Sequence, residues 1–188
     1  MDGPHGGPDA LFPRRAELRL IAVTVHIVAA TEQHMDGFHA ALDAVARERR
    51  FIGLTRAFPL PATATFVRQM LASGGIQLVA VTPAGEVVGW CDVERLQLEG
   101  FRHVGRLGMG LLQPYRRQGI GRRLAETAIG AARAAGIERI ELEVFASNTG
   151  AIRLYEQLGF VREGVKAQAR KLDGHSDDIV QMALIAGG

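Results

Sequence analysis

The stretch Leu111-Leu112-Gln113-Pro114-Tyr115-Arg116-Arg117-Gln118-Gly119-Ile120-Gly121-Arg122-Arg123-Leu124 constrains the fold more than any other part of the chain. An apolar, strand-like run enters a turn whose glycines are spaced i, i+2, and a helical apolar repeat starts at once. A strand handed directly to a helix belongs to a mixed α/β chain. The first turn of such a helix has N–H groups without internal acceptors, and the positive end of its dipole points outward. Glycine lets another group come close to the backbone, so the turn can cradle a pyrophosphate. Arg116, Arg117, Arg122 and Arg123 flank it.

Other readings of the glycine turn compete with this one. A Walker A loop requires Gly-Lys-Ser/Thr, whereas Gly121 is followed by Arg122 and Arg123, so that reading fails. A dinucleotide fingerprint wants a third small residue where Leu124 stands; Glu141, about twenty residues further on, could bind a ribose, but Leu124 would crowd the helix against the strand. A plain glycine-rich helix start with solvated arginines also remains open.

Periodicity organises the rest. Residues 1–16, with Pro4, Pro8 and Pro13 among glycines, read as a mobile tail before a single domain over 17–186. Leu20 to Ala30 reads as a first strand in preference to a secretory signal, because Thr24 and His26 interrupt it. Met35, Phe38, Leu42, Val45 and Ala46 predict an amphipathic helix over 31–49, and a second helix is expected from about Ala62 to Ala72, entered through Pro61. Ile76 to Val81 and Val87 to Val93 form a hairpin about Pro83-Ala84-Gly85. Strands are expected at His103 to Leu112, Ile137 to Phe145, Val161 to Lys171 and Ile179 to Leu184, with helices from about Gly119 to Ala135 and from Thr149 to Leu158.

Composition narrows the class of protein. With 47% hydrophobic and 22% charged residues the chain can bury a core. The formal charge is only +2, although 20 of the 22 basic residues are arginine, the lysines being Lys166 and Lys171. Four arginines at one glycine turn point to a phosphorylated small molecule and away from nucleic acid. A single cysteine, Cys91, can neither form an internal disulfide nor hold zinc alone, which favours a reduced, cytoplasmic setting and no metal; its place in Val87–Val93 marks it as a core thiol. No apolar run reaches the ~18–20 residues that cross a bilayer, so no membrane role is expected.

A second block follows the Ile140–Phe145 strand: Asn148-Thr149-Gly150-Ala151-Ile152-Arg153-Leu154-Tyr155-Glu156-Gln157-Leu158-Gly159-Phe160. The two blocks together resemble the GNAT acetyltransferase superfamily. Arg116, Gly119 and Gly121 match its Q/R-x-x-G-x-G/A loop, and Asn148, Ala151, Leu154, Tyr155, Gly159 and Phe160 match its N-x-x-A-x-x-L-Y-x-x-x-G-F element. The resemblance implies a mixed, mostly antiparallel sheet of about six or seven strands, splayed at the cofactor site and flanked by about four helices. It implies acetyl-CoA as cosubstrate, with the backbone near Leu111 and Gln113 on the pantetheine and thioester. Arg116, Arg117, Gln118, Gly119, Ile120, Gly121 and Arg122 would lie at the pyrophosphate. Asn148 would bond the pantetheine, and Tyr155 would protonate the leaving thiolate as general acid. The smaller residue usual after the first arginine is here Arg117.

The amine acceptor is protonated at pH ~7, so a base is needed, directly or through water. Glu94, His103, Glu141 and Glu143 are candidates, each with an ordinary structural alternative, and no glutamate occurs between His103 and Leu112, where several members of the family carry one. The tail Glu163-Gly164, Asp173-Gly174-His175-Ser176-Asp177-Asp178 and Met182 resembles members that act on small amines, amino acids or protein N-termini; its acids could draw a cationic acceptor or simply form a solvated turn. The expectation is therefore an N-acetyltransferase, with a non-catalytic acyl-CoA-binding regulator as its rival. A homodimer is implied by family analogy alone.

Overall fold

A computed structural model describes residues 24–185. The expected tail at 1–16, and the start of the domain at residue 17, lie outside the described residues. In chain order the elements are β1 (His26–Ala29), α1 (Met35–Arg47), α2 (Leu60–Ala72), β2 (Ile76–Val81), β3 (Val87–Arg95), β4 (Val104–Leu111), α3 (Ile120–Ala134), β5 (Arg139–Phe145), α4 (Thr149–Gln157), β6 (Val161–Leu172) and β7 (His175–Ile185). The strands form one 7-stranded sheet in the order β1-β2-β3-β4-β5-β7-β6. Every neighbouring pair is antiparallel except β4 and β5.

Both faces are covered, by different helices. On one face Leu124, Ala128, Ile129 and Ala132 of α3 and Ile152 and Tyr155 of α4 pack on Leu78, Cys91, Val93, Leu107, Ile140 and Met182. On the other, Phe38, Ala41 and Val45 of α1 and Val67 of α2 pack on Val79, Val87 and Trp90, with Phe38 edge-on to Trp90 at 5.7 Å between ring centroids. The three- and four-residue spacing that predicts α1 and α3 is thus the spacing of the residues they bury.

The final hairpin differs from expectation. β7 begins at His175, four positions before Ile179, because Asp173 (φ 51°) and Gly174 (φ 80°) make a tight turn that lets pairing run to Leu172↔His175. The helix expected over 31–49 is divided: a 3₁₀ turn at Glu32–His34 precedes α1.

The parallel pair β4–β5 organises the site. Its ladder holds only Val104↔Arg139, Gly105↔Ile140 and Arg106↔Glu141, and beyond Arg106 the strands part. The opening is a cleft of about 590 Å³ lined by Arg106, Leu107, Glu141, Leu142, Glu143, Glu163, Lys166, Gln181 and Met182.

Candidate active site

The glycine turn sits at the mouth of this opening. Arg117 (φ 60°) and Gly119 (φ 78°) both adopt left-handed backbone, which turns consecutive N–H groups to the same side. Among the described residues, no acceptor bonds the N–H groups of Arg117, Gln118, Gly119, Ile120, Gly121 or Arg122; the first helical bond is Arg123 N–H to the Gly119 carbonyl at 3.1 Å. This unbroken run of free donors at the positive end of a fifteen-residue helix can bind a pyrophosphate. A Cβ built on Gly121 would lie 3.8 Å from Leu154 and 3.9 Å from Met109, so the helix start, the end of β4 and α4 converge there.

The four flanking arginines are not equivalent. Arg116 donates Nε to the Leu111 carbonyl at 2.7 Å, grips Glu48 with both terminal nitrogens and lies 4.6 Å from the centroid of the Phe51 ring. Arg122 is held by Glu126 at 3.1 Å and Gln157 at 2.9 Å, and Arg123 by the Val25 carbonyl at 2.9 Å. Arg116 and Arg122, expected at the pyrophosphate, thus each commit part of their guanidinium to partners within the fold. Arg116 also spends its own N–H on the Gln113 carbonyl at 3.2 Å. Arg117 alone of the four has no hydrogen-bonding or ionic partner among the described residues.

The backbone of β4 supplies the inner wall. Leu96 donates to the Val104 carbonyl and Leu112 to the Val88 carbonyl, so even-numbered residues of β4 bond to β3. Leu107, Met109 and Leu111 therefore turn their N–H and C=O groups towards the opening. Gln113 lies past the strand in a 3₁₀ turn, so Met109, not Gln113, joins Leu111 on this wall.

Tyr155 enters from α4, whose N-cap is Asn148; its Oδ1 accepts from the Ala151 N–H at 3.3 Å, leaving Nδ2 without a partner among the described residues. The Tyr155 ring is buried and meets Phe160 edge-on at 5.6 Å. Its hydroxyl bonds none of the described residues, yet it is not among the sealed polar atoms. Burial pushes the phenol's pKa up, and the Cys91 thiol and Asp92 add to the shift, so the proton stays on Oη at any working pH. Cys91 is fully buried and its thiol is pushed up by the same burial, as a core thiol should be.

The four base candidates part company. His103 precedes the closed end of the β4–β5 ladder, where its carbonyl bonds the Glu138 and Arg139 N–H groups, about 16 Å along the strand from Gly108. That distance removes it from the site. Glu141 binds Arg139 Nε at 2.7 Å, and Arg139 also binds Glu163, so Glu141 belongs to an ion-pair cluster at the base of the cleft. Glu94 pairs in register with Arg106 on the α1 face. Glu143 projects into the opening, where its Oε1 accepts from Lys166 Nζ and from Gln181 Nε2 at 3.4 Å.

Sequence reasoning passed over Asp92. It lies in register with Gly108, two residues from Glu94 on the same face. Burial, with the nearby Glu94 charge adding to it, pushes its carboxyl up to about 7 against the partial opposition of Trp90. The acids of the last hairpin are committed: Asp173 to Arg49 at 2.7 Å, Asp177 to Ser147, and Asp178 to the Gln168 N–H at 2.7 Å. Of the three, Asp173 has a cationic partner, while Asp177 and Asp178 accept from neutral donors. Among the described residues no group of three or more His, Cys, Asp and Glu side chains could hold a metal, and no described helix is long and apolar enough to cross a membrane.

Three comparisons bear on this geometry. The sequence model of the acetyltransferase (GNAT) family matches residues 53–160. The [ribosomal protein bS18]-alanine N-acetyltransferase of Escherichia coli K12 is 40% identical over 70 residues, 37% of this chain and 47% of that protein. The match thus spans about half the length of the curated relative. The crystal structure of ribosomal-protein-alanine N-acetyltransferase from Brucella melitensis superposes with a TM-score of 0.79 at 26% identity, covering 85% of this chain and 99% of that one. The structure of yncA from Salmonella typhimurium with its cofactor acetyl-CoA has a TM-score of 0.81 at 20% identity over 88% of this chain and 95% of that one, a likeness of fold.

Proposed function

The chain belongs to the GNAT acetyltransferase family, and from that premise we propose that it moves the acetyl group of acetyl-CoA to a primary amine, with both substrates bound and no covalent enzyme intermediate. The observation that carries this reading is the run of free amides from Arg117 to Arg122 opening onto a splayed strand pair with the Tyr155 hydroxyl beside it. These residues fit acetyl-CoA: the amides and Arg117 hold the pyrophosphate, the Leu111 N–H and the Met109 backbone offer partners to the pantetheine and thioester, and Asn148 Nδ2 offers another. When bound, acetyl-CoA supplies an activated acyl thioester. Tyr155 keeps a proton ready for the sulfur as it leaves.

The acceptor enters the cleft on the side of β5, β6 and β7. Glu143 is the carboxylate in that cleft best placed to take a primary ammonium, by exchanging Lys166 for it. The α1–α2 connection roofs the same end, since Arg49 binds Asp173 of the β6–β7 turn and Arg170 donates to the Arg49 carbonyl at 2.6 Å. An unbranched N-terminal segment suits a cleft open at one side, and the alanine named for the Escherichia coli relative makes a peptide beginning with alanine the first acceptor to try; small amines and free amino acids are the others.

The second reading, a CoA-binding module without turnover, is separated by mixing the protein with acetyl-CoA and this acceptor panel and following thiol release together with acetylated product. Stoichiometric thiol and acetyl-amine support the enzyme. Tight CoA binding with no product from any amine supports the regulator.

A further inference from the structure

Register across the sheet sets one row of side chains on the α1 face at the level where β4 and β5 part. Gln77 of β2 pairs with Asp92 of β3, and Asp92 pairs with Gly108 of β4. Two residues beyond the last β4–β5 pair, Gly108 and Glu143 stand at the same level on opposite walls of the opening, and Glu143 pairs with Gln181 of β7. The row therefore runs Gln77, Asp92, Gly108, gap, Glu143, Gln181.

Two features of this row are unusual. A Cβ on Gly108 would lie 3.0 Å from Asp92 Oδ2 and 3.1 Å from Oδ1, so the carboxylate lies over the glycine in space that any other residue would occupy. The absence of a side chain at 108 is what lets the carboxylate face the gap. Behind it, Gln77 is 2% exposed, and neither its Oε1 nor its Nε2 has a hydrogen-bond partner among the described residues. A buried carboxamide left unbonded is costly and is expected to be met by water or by the adjoining acid. Asp92 is half-buried, is not among the sealed polar atoms, and has no cation bonded to it among the described residues.

Resting on the acetyltransferase reading above, we propose that Asp92 is the catalytic base: it accepts the proton of the acceptor ammonium across Gly108, directly or through one water, with the unbonded carboxamide of Gln77 beside it on β2. Glu143 then binds the ammonium and Asp92 deprotonates it, a division that suits one paired and one unpaired carboxylate. The ammonium gives one proton to Asp92. The freed nitrogen lone pair forms the C–N bond, the C–S bond breaks, and the thiolate takes the Tyr155 proton. The second proton lost by nitrogen restores Tyr155, and Asp92 releases its own to solvent. One proton leaves overall.

A carboxyl pushed up to about 7 is matched to this task, since a base works best near the ambient pH. The groups about Asp92 on its own face are Glu94 on its strand, Arg106 beside Gly108 on β4, neutral Gln77 on β2 and Glu143 across the gap on β5; Cys91 and Tyr155 lie on the other face of the sheet, near enough for their charges to be felt. From α1 and α2 the side chains packed on this face are apolar, Phe38, Val45 and Val67 among them.

The test is the pH dependence of kcat/KM for full-length wild type and Asp92→Asn with acetyl-CoA and an alanine-first peptide, alongside calorimetric CoA binding. Wild type should lose activity on the acid side of an inflection near pH 7. Asp92→Asn should bind CoA as wild type does, lose about 10²–10⁴-fold in kcat and lose that inflection. Glu143→Gln should instead raise KM and keep the inflection. Gln77→Leu should move the inflection upward, which a purely structural role would not do. If Asp92→Asn keeps the wild-type profile with amine turnover intact, this inference falls and the acetyltransferase reading stands. If wild type turns over no amine, both fall.

Discussion

Replacing Arg116 with methionine separates two roles for the most prominent residue of the glycine turn. The family pattern puts this arginine at the cofactor, whereas its guanidinium binds Glu48 and the Leu111 carbonyl and stacks on Phe51. The paired side chains are 25% and 27% exposed, so solvent screens them only in part. A buried hydrogen bond to a charged group contributes about 1.5–3 kcal/mol, and an exposed ion pair about 0–1 kcal/mol. For this intermediate burial the pair, the carbonyl bond and the stacking together amount to about 2–3 kcal/mol, after the methionine stem restores part of the packing. In a chain of this length 1 kcal/mol moves Tm by about 2–4 °C, so Arg116→Met should lower Tm by roughly 4–12 °C. Its acetyl-CoA affinity, measured by calorimetry well below the transition, should change less than about threefold, because the donors from Arg117 to Arg122 are main-chain. An unchanged Tm with a tenfold or larger loss of affinity would refute the reasoning and return Arg116 to the phosphates.

Arg117→Gly removes a left-handed non-glycine residue, φ 60°, which costs about 1–2 kcal/mol, against about 0.5–1 kcal/mol of added chain entropy. Thermal unfolding should show equal or slightly higher stability, while acetyl-CoA affinity falls by up to about fivefold, an effect that added salt abolishes; a drop in Tm would contradict the strain argument. Asp92→Asn should gain stability over wild type as pH rises. The carboxyl sits at about 7 when folded and near 4 when unfolded, so the unfolded chain binds fewer protons between those values and wild type weakens across that window. Tm measured from about pH 5 to 8 should show the gap widening, and a constant gap would argue against a carboxyl raised by burial.

Much of the architecture was legible because it rests on short-range patterns. The apolar spacing in Met35, Phe38, Val45 and in Leu124, Ala128, Ala132 marks the buried faces of α1 and α3. The i, i+2 glycines mark a turn whose donors do stand free, and Tyr155 does lie on a short helix directly after β5. What escaped was set by register. Asp92 differs from Glu94 by two positions on one strand, and only the pairing of β3 with β4 shows that Gly108, not a side chain, faces it. Met109 was hidden for the same reason, since which carbonyls of β4 face the gap depends on which ones β3 has taken. Charge count says nothing of partners: Glu48, Glu126 and Val25, the acceptors bonded by Arg116, Arg122 and Arg123, lie as far as 98 residues away in sequence. The partners of the last hairpin's acids, Arg49, Ser147 and the Gln168 N–H, were hidden from the sequence in the same way.

The central claim is that Tyr155 acts on bound acetyl-CoA in a working transferase, and the most direct test is a paired measurement on Tyr155→Phe. Phenylalanine keeps the buried ring against Phe160 and removes only the hydroxyl. CoA affinity should stay within about twofold of wild type, while kcat for acetylation of an alanine-first peptide falls about tenfold or more. An unaltered kcat would remove Tyr155 from the chemistry, and wild-type protein that binds CoA but acetylates no amine would contradict the account as a whole.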